Sequence, residues 1–411
     1  MTGIPDPLFG VLATLTLVLV AAHGLGALAA RVGFAPVVGE LLTGLVLGPA
    51  ALGLLAPELT GLVVPIPAWL DVLASLGLVL LLLLAGTEVD VAALRRHASA
   101  TAAVAAGGFV VPFVAGIGVT LLLPSDALPA GVSSLAVSLV VGTALAVSAV
   151  PVTIRVLVDL DALDRPVGQR TLVIAAVVDA VGWLVFSVVA DAVRTGGVDA
   201  LRVGRTLLVL AGFVLLAATV GRRVVDVLLE RAARARSPAL SQFSAVVLVG
   251  FATTAAGLAV AVEAVVGAFT AGVLAGRRLD EAAGRVLHVV ALGLLAPLFF
   301  ATAGLRVDVG TLLTPGAAGV AALLLVVAVA SKAAGVALGG ALAGLSRAEI
   351  ACLAVGLNAR GAMEIVIASL GLALGVLSPT LYAAIVVVAV ATSVAMPPLL
   401  RRALVRLPAD A

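Results

Sequence analysis

Few residues in this 411-residue chain can do chemistry, and the most informative of them stand alone in apolar surroundings. Asp179 is the one carboxylate in "TLVIAAVVDAVGWLVFSVVA" (Thr171 to Ala190), and Lys332 in "AVASKAAG" is the only lysine of the chain. Arg360 and Glu364 share "AVGLNARGAMEIVI" with Asn358 and Gly361, while "ALAVSAVPVTIRVL" places Ser148 and Pro151 inside another apolar run. A carboxylate held out of water can carry a proton or a cation but not both, and one site with two exclusive ligands gives exchange. Hard alkali cations favour oxygen donors. Asp179, the Ser148 hydroxyl and carbonyls freed by a helix break at Pro151 would supply them. Lys differs from Arg in offering a compact point charge that ionises more variably, so one lysine in an otherwise arginine-only chain marks a site with a particular need.

The elements that position these residues are membrane helices. Hydrophobic residues make up 63% of the chain and charged residues 11%, far from the roughly 45–50% and 25% of soluble domains. A spanning helix needs roughly 20 apolar residues. About thirteen such runs follow one another, starting near residues 7, 36, 67, 100, 131, 167, 204, 240, 261, 285, 315, 347 and 379. The fold class expected is an all-α integral membrane protein, with short connections and no soluble regulatory domain. "MTGIPDPLFG" has no basic residue ahead of its apolar run, so it reads as a first span and not as a cleaved signal peptide. Arg95, Arg96, Arg222, Arg223, Arg231, Arg277, Arg278, Arg401 and Arg402 lie in odd-numbered connections or the C-terminal tail, which places the N-terminus outside and the C-terminus in the cytoplasm.

Several function classes fall away. One cysteine, Cys352, makes no internal disulfide, and the three histidines, His23, His97 and His288, are far apart with no metal-ligand spacing. No nucleophile or acid/base pair suggests an enzyme, nothing requires a cofactor, and no basic surface suggests nucleic acid. The partner expected from composition is membrane lipid.

Depth is the next constraint. Asp179, Lys332 and Arg360 fall near the middle of spans 6, 11 and 12, where each charge costs about 2.5–3.5 kcal/mol on insertion scales. Packed apolar groups would serve stability as well, so their retention points to transport. Arg155 falls near the end of its span, where snorkelling keeps its head in water. Glu364 follows Arg360 by four residues, on the same helical face, and neutralises it or couples to protons. Glu40 reads as interface or gate structure, Glu263 as an outer turn, and Asp191 and Asp308 as solvated helix ends.

Internal repetition links the two halves. "VVGELLTGLVLG" (Val37 to Gly48) and "VVGAFTAGVLAG" (Val265 to Gly276) share V-V-G with glycines five and nine residues later. They lie in spans 2 and 9, an odd offset of seven, as an inverted-topology repeat requires. The same offset pairs span 5 with span 12, and both are interrupted near half depth: one by Ser148 and Pro151, the other by Asn358, Arg360 and Gly361. Paired breaks of this kind build binding sites from half-helix ends.

These segments, together with "LLLLLAGTEVD" (Leu80 to Asp90), "AAVVDAVGW" (Ala175 to Trp183), "LFFATAGLRVDV" (Leu298 to Val309) and the run from Leu357 to Leu400, resemble the monovalent cation:proton antiporters, specifically the cation:proton antiporter-2 branch. The likeness covers essentially the whole chain. It implies thirteen helices in two inverted repeats with crossed broken helices, and a homodimer in the plasma membrane. Residues 1–96 and 237–310 would form scaffold and dimerisation helices, 97–203 and 311–411 the transport core, and 204–236 a linker helix. By position Asp179 resembles the ion- and proton-binding aspartate, Ser148 and Pro151 its neighbours in the first broken helix, and Lys332 the core lysine. Relatives often have two adjacent aspartates, whereas Val178 and Ala180 flank Asp179 here, so a second carboxylate is absent. The function implied is exchange of protons for Na+ or K+, with Asp179 holding the transported ion. A bile-acid-type sodium symporter or a small-molecule exporter of the same fold is the alternative.

Overall fold

A computed structural model of the chain describes residues 7–32, 34–48, 63, 66–89, 98–129, 131–195, 200–260, 262, 264–276, 278–305 and 315–407. Glu263, Asp308 and His97 lie outside the described residues, as do Arg95, Arg96, Arg277 and the side chain of Asp191. Described regular structure is all helical. In chain order the helices are α1 (Pro7–Arg31), α2 (Pro36–Leu47), α3 (Ala68–Thr87), α4 (Ala98–Val119), α5 (Ser134–Ala146), α6 (Val150–Asp159), α7 (Pro166–Thr195), α8 (Ala200–Leu216) and α9 (Arg222–Ala233). They continue as α10 (Pro238–Ala259), α11 (Ala264–Gly276), α12 (Glu281–Val290), α13 (Ala296–Leu305), α14 (Pro315–Leu342), α15 (Arg347–Gly356), α16 (Ala362–Ala373) and α17 (Pro379–Leu404). Single π-turns join α8 to α9 and α12 to α13.

Ten of the resulting rods are long and apolar enough to cross a membrane, and Pro36–Leu47, Val266–Gly276 and Glu364–Ala373 are shorter apolar helices. Outward-facing leucines and valines, among them Leu208 and Leu215, are exposed, as lipid contact requires. The start signals are local. Proline lies in the first turn of α2, α6, α10 and α17, where its missing N–H is one that a helix leaves unpaired anyway. Ser346 and Glu349 form a reciprocal capping box on α15, and Asp280 caps α12.

Small residues decide which helices touch. A Cβ on Gly44 of α2 would collide with the backbone at Ala301 and Gly304 of α13, and one on Gly272 of α11 with the backbone at Leu83 and Gly86 of α3. Gly39 meets α1 at Leu25 in the same manner that Gly267 meets α10 at Thr254. Each glycine removes the one side chain that would hold two backbones apart. The two V-V-G segments therefore make corresponding contacts: each leans on the helix before it and crosses a helix that ends in an Ala-Gly pair, Ala303–Gly304 or Ala85–Gly86.

A third close approach, between Gly107 of α4 and Gly335 of α14, packs the two helices that carry Gly108 and Lys332. α7 lies against α4, α5 and α6. A Cβ on Gly182, one turn beyond Asp179, would strike Val147 at the start of the first break.

Candidate functional site: two crossed breaks around buried charges

Span 5 is two helices. α5 stops at Ala146, Val147 to Ala149 run extended, and α6 begins at Val150. Pro151 is the second residue of α6, so the chain breaks just ahead of the proline and uses it to start a new helix. The counterpart break runs from Leu357 to Gly361, between α15 and α16, with Gly361 fully extended at φ 174°. The breaks cross and bond to each other: Ala149 N–H donates to the Ala359 carbonyl at 2.9 Å, and the Ser148 hydroxyl donates to the Leu357 carbonyl at 2.8 Å. In a hydrocarbon interior such freed backbone groups need protein partners, and each break supplies them to the other.

The last turn of any helix leaves carbonyls without an intrahelical donor and carries partial negative charge. At the end of α5 both buried cations meet this need. Lys332 Nζ donates to the Ala146 carbonyl, to Gly108 O at 2.9 Å and to Ser148 Oγ at 3.0 Å. Arg360 donates to Ala144 O at 3.0 Å, to Leu145 O at 2.6 Å and to Ala328 O at 3.4 Å. Its other contact is a long one, 3.5 Å from Nη1 to Glu364 Oε1. Ser393 of α17 donates to the Arg360 carbonyl. Charge-assisted bonds of this kind are worth about 1.5–3 kcal/mol each, so several together offset the insertion cost of the two cations.

Asp179, Ser148 and Lys332 are 0% exposed, Arg360 is 1% and Glu364 2% exposed. The charges of Arg360, Glu364 and Asp179 all bear on the Lys332 ammonium. Of the residues expected at the site from sequence, Ser148 bonds to Lys332, Arg360 to Glu364, and the charge of Asp179 bears on Lys332; Pro151 lies in the first turn of α6, and Asn358 caps its own helix by donating to the Ala354 carbonyl at 2.9 Å. Trp183, one turn after Asp179, packs edge-on against Phe186 at 6.0 Å.

One expectation changes. Arg155 does not snorkel to water: it is 9% exposed and its Nη2 donates to Glu40 Oε1 at 2.6 Å. A lone arginine near a helix end gives no sign of a carboxylate in a helix more than a hundred residues earlier. Lys332 is held by the main-chain carbonyls of Gly108 and Ala146 and by the Ser148 hydroxyl, with the charges of Glu364 and Asp179 acting on it as well. The acceptors at Gly108, Ala144, Leu145 and Ala146 were missed by sequence reading, because a carbonyl carries no residue signature.

Deep cations bonded to crossed half-helices within a membrane bundle define a multi-pass membrane transporter. The chain belongs to the sodium/hydrogen exchanger transmembrane family, whose model matches residues 15–405. It is 28% identical over 395 residues to the Na(+)/H(+) antiporter NhaS4 of Synechocystis sp., covering 95% of this chain and 96% of that one. It is 27% identical over 393 residues to the Na(+)/H(+)-K(+) antiporter GerN of Bacillus cereus, covering 94% of each. In fold it is similar to the sodium proton antiporter MjNhaP1 of Methanocaldococcus jannaschii, with a TM-score of 0.67 at 17% identity over 96% of both chains.

Proposed function

We propose that this protein is a secondary active antiporter that exchanges protons for a monovalent cation, Na+ or K+, by alternating access. The observation that carries the reading is Asp179: a fully buried carboxylate midway along α7, one turn before Gly182 meets Val147 at the first break. In this mechanism Asp179 holds either the proton or the cation, so that one leaves before the other is taken. Ser148 and main-chain carbonyls at the α5–α6 break complete the oxygen shell. Lys332 and Arg360 hold the α5 end, and with it the site, in shape. The family and the names of its relatives support proton-coupled cation exchange. Nothing in the cycle requires enzymatic catalysis.

The corresponding glycine contacts of α2 and α11 support two inverted repeats, in which α1–α3 and α10–α13 form a scaffold and α4–α7 and α14–α17 a moving core, with α8 and α9 linking them. The bias of arginines supports a cytoplasmic C-terminus, and the proposed setting is a homodimer in the plasma membrane. The test is transport in proteoliposomes with an internal pH dye, comparing Na+, K+ and Li+ gradients with valinomycin as voltage clamp. A dye response to none of the three cations removes the reading.

A further inference from the structure

A second buried charge cluster lies away from the ion site. Arg155 of α6 donates to Glu40 of α2 at 2.6 Å and approaches Asp159, one turn on, at 3.6 Å. Asp159 in turn lies near the backbone N–H of Val37 in the first turn of α2, where a helix has unpaired donors and favours an anion. Half-helix α6 is thus tied to α2 through the Arg155–Glu40 ion pair, with Asp159 beside it. The side chains of Arg155, Glu40 and Asp159 are 11%, 3% and 10% exposed. Glu40 Oε2 makes no hydrogen bond among the described residues, and two carboxylates face one guanidinium.

This is poor design for stability alone. Buried ion pairs are often outdone by apolar packing, while breaking one by removing a single partner is strongly destabilising. What such a pair does well is hold one relative position of two elements against others. Its position gives that property a use. α6 is one rigid rod of ten residues, about 15 Å long at 1.5 Å per residue. At its start the first break bonds to Ala359, and at its other end the charge cluster grips α2.

On the reading that α2 belongs to the scaffold and α6 to the moving core, we infer that Glu40, Arg155 and Asp159 form a latch across the scaffold–core boundary. The latch holds α6 and the ion site in one access state, and it parts when the core moves. Arg155 and Glu40 are positioning residues that act through α6 without touching the ion.

The experiment is a reversible cross-link. Glu40→Cys and Arg155→Cys are combined in a Cys352→Ser background and bridged with a cleavable bis-methanethiosulfonate, which tolerates wider spacings than the roughly 7 Å limit on Cα separation for a direct disulfide. The bridged protein is expected to lose exchange by at least about tenfold, as a lock on one of two states requires, and to recover it on reduction. Full exchange by quantitatively bridged protein overturns the latch. Wild-type protein assayed in parallel reports separately on the antiport reading.

If the unbridged double variant is already inactive, amide hydrogen exchange decides. Arg155→Gln is expected to speed exchange across Val150 to Asp159, and Glu40→Arg with Arg155→Glu to restore protection. Unchanged protection in folded Arg155→Gln, or no restoration by the charge-swapped pair, overturns the proposal.

Discussion

The Lys332 ammonium lies 3.0 Å from the Ser148 hydroxyl, and that hydroxyl donates to the Leu357 carbonyl at 2.8 Å. One hydrogen-bond chain therefore runs from α14 through the first break to the second. Whatever moves one break is felt by the other and by the lysine, which makes the crossing a single mechanical unit.

Asp179 should be indispensable to transport and dispensable to folding. Asp179→Asn preserves shape while removing both the proton and the cation charge, so exchange in proteoliposomes is expected to fall to the level of empty vesicles. The melting temperature should stay the same or rise, because burying an amide costs less than burying a carboxylate. Normal cation-driven proton flux in this variant would end the central claim.

Lys332→Arg keeps the charge and loses the fit. The ammonium sits among three acceptors in a space shaped by the Gly107–Gly335 contact, and a planar guanidinium is larger and differently directed. Lower thermal stability and an altered pH profile of exchange are expected. Lys332→Met should be worse, since it strands the Gly108 and Ala146 carbonyls at about 1–3 kcal/mol each. Matching profiles for wild type and Lys332→Arg would reduce the lysine to an accident of composition.

The glycine contacts make a comparative prediction. Gly44→Ala and Gly272→Ala each place a methyl group against a facing backbone and should destabilise by about 1–3 kcal/mol, the usual cost of overpacking. Gly24→Ala on α1 meets nothing within 4 Å and should be neutral or slightly stabilising. Thermal unfolding in detergent, followed by fluorescence of a size-exclusion peak, ranks the three. Equal melting temperatures would remove the argument that these glycines set the packing of the two halves.

Electrical balance follows from the single carboxylate at Asp179. With Val178 and Ala180 beside it, one proton is expected to exchange for one cation, with no net charge moved in a cycle through which Lys332 keeps its proton. Glu364, 3.5 Å from Arg360, is the group that could change this count by carrying a second proton. Solid-supported-membrane electrophysiology should show dye-reported exchange without sustained charge displacement. Currents that scale with turnover and vanish in Glu364→Gln would instead assign Glu364 as a second carrier.

Much of this was legible from sequence because a membrane filters residue types harshly. In a hydrocarbon layer every intramembrane charge is costly, so Asp179, Lys332 and Arg360 announced themselves by residue type alone. The apolar runs marked the helices, and Pro151 and Gly361 marked the breaks, through steric rules that act over one or two residues. Other features depended on contacts between residues far apart in the chain. That the two breaks bond to each other, that the α5 carbonyls accept from both Lys332 and Arg360, and that Arg155 finds Glu40 are consequences of packing. Main-chain acceptors have no sequence signature, and an ion pair across more than a hundred residues exists only once helix contacts such as Gly44 on Gly304 have fixed the bundle. The sequence determined which groups must be hidden from lipid; the tertiary structure decided what each is hidden against.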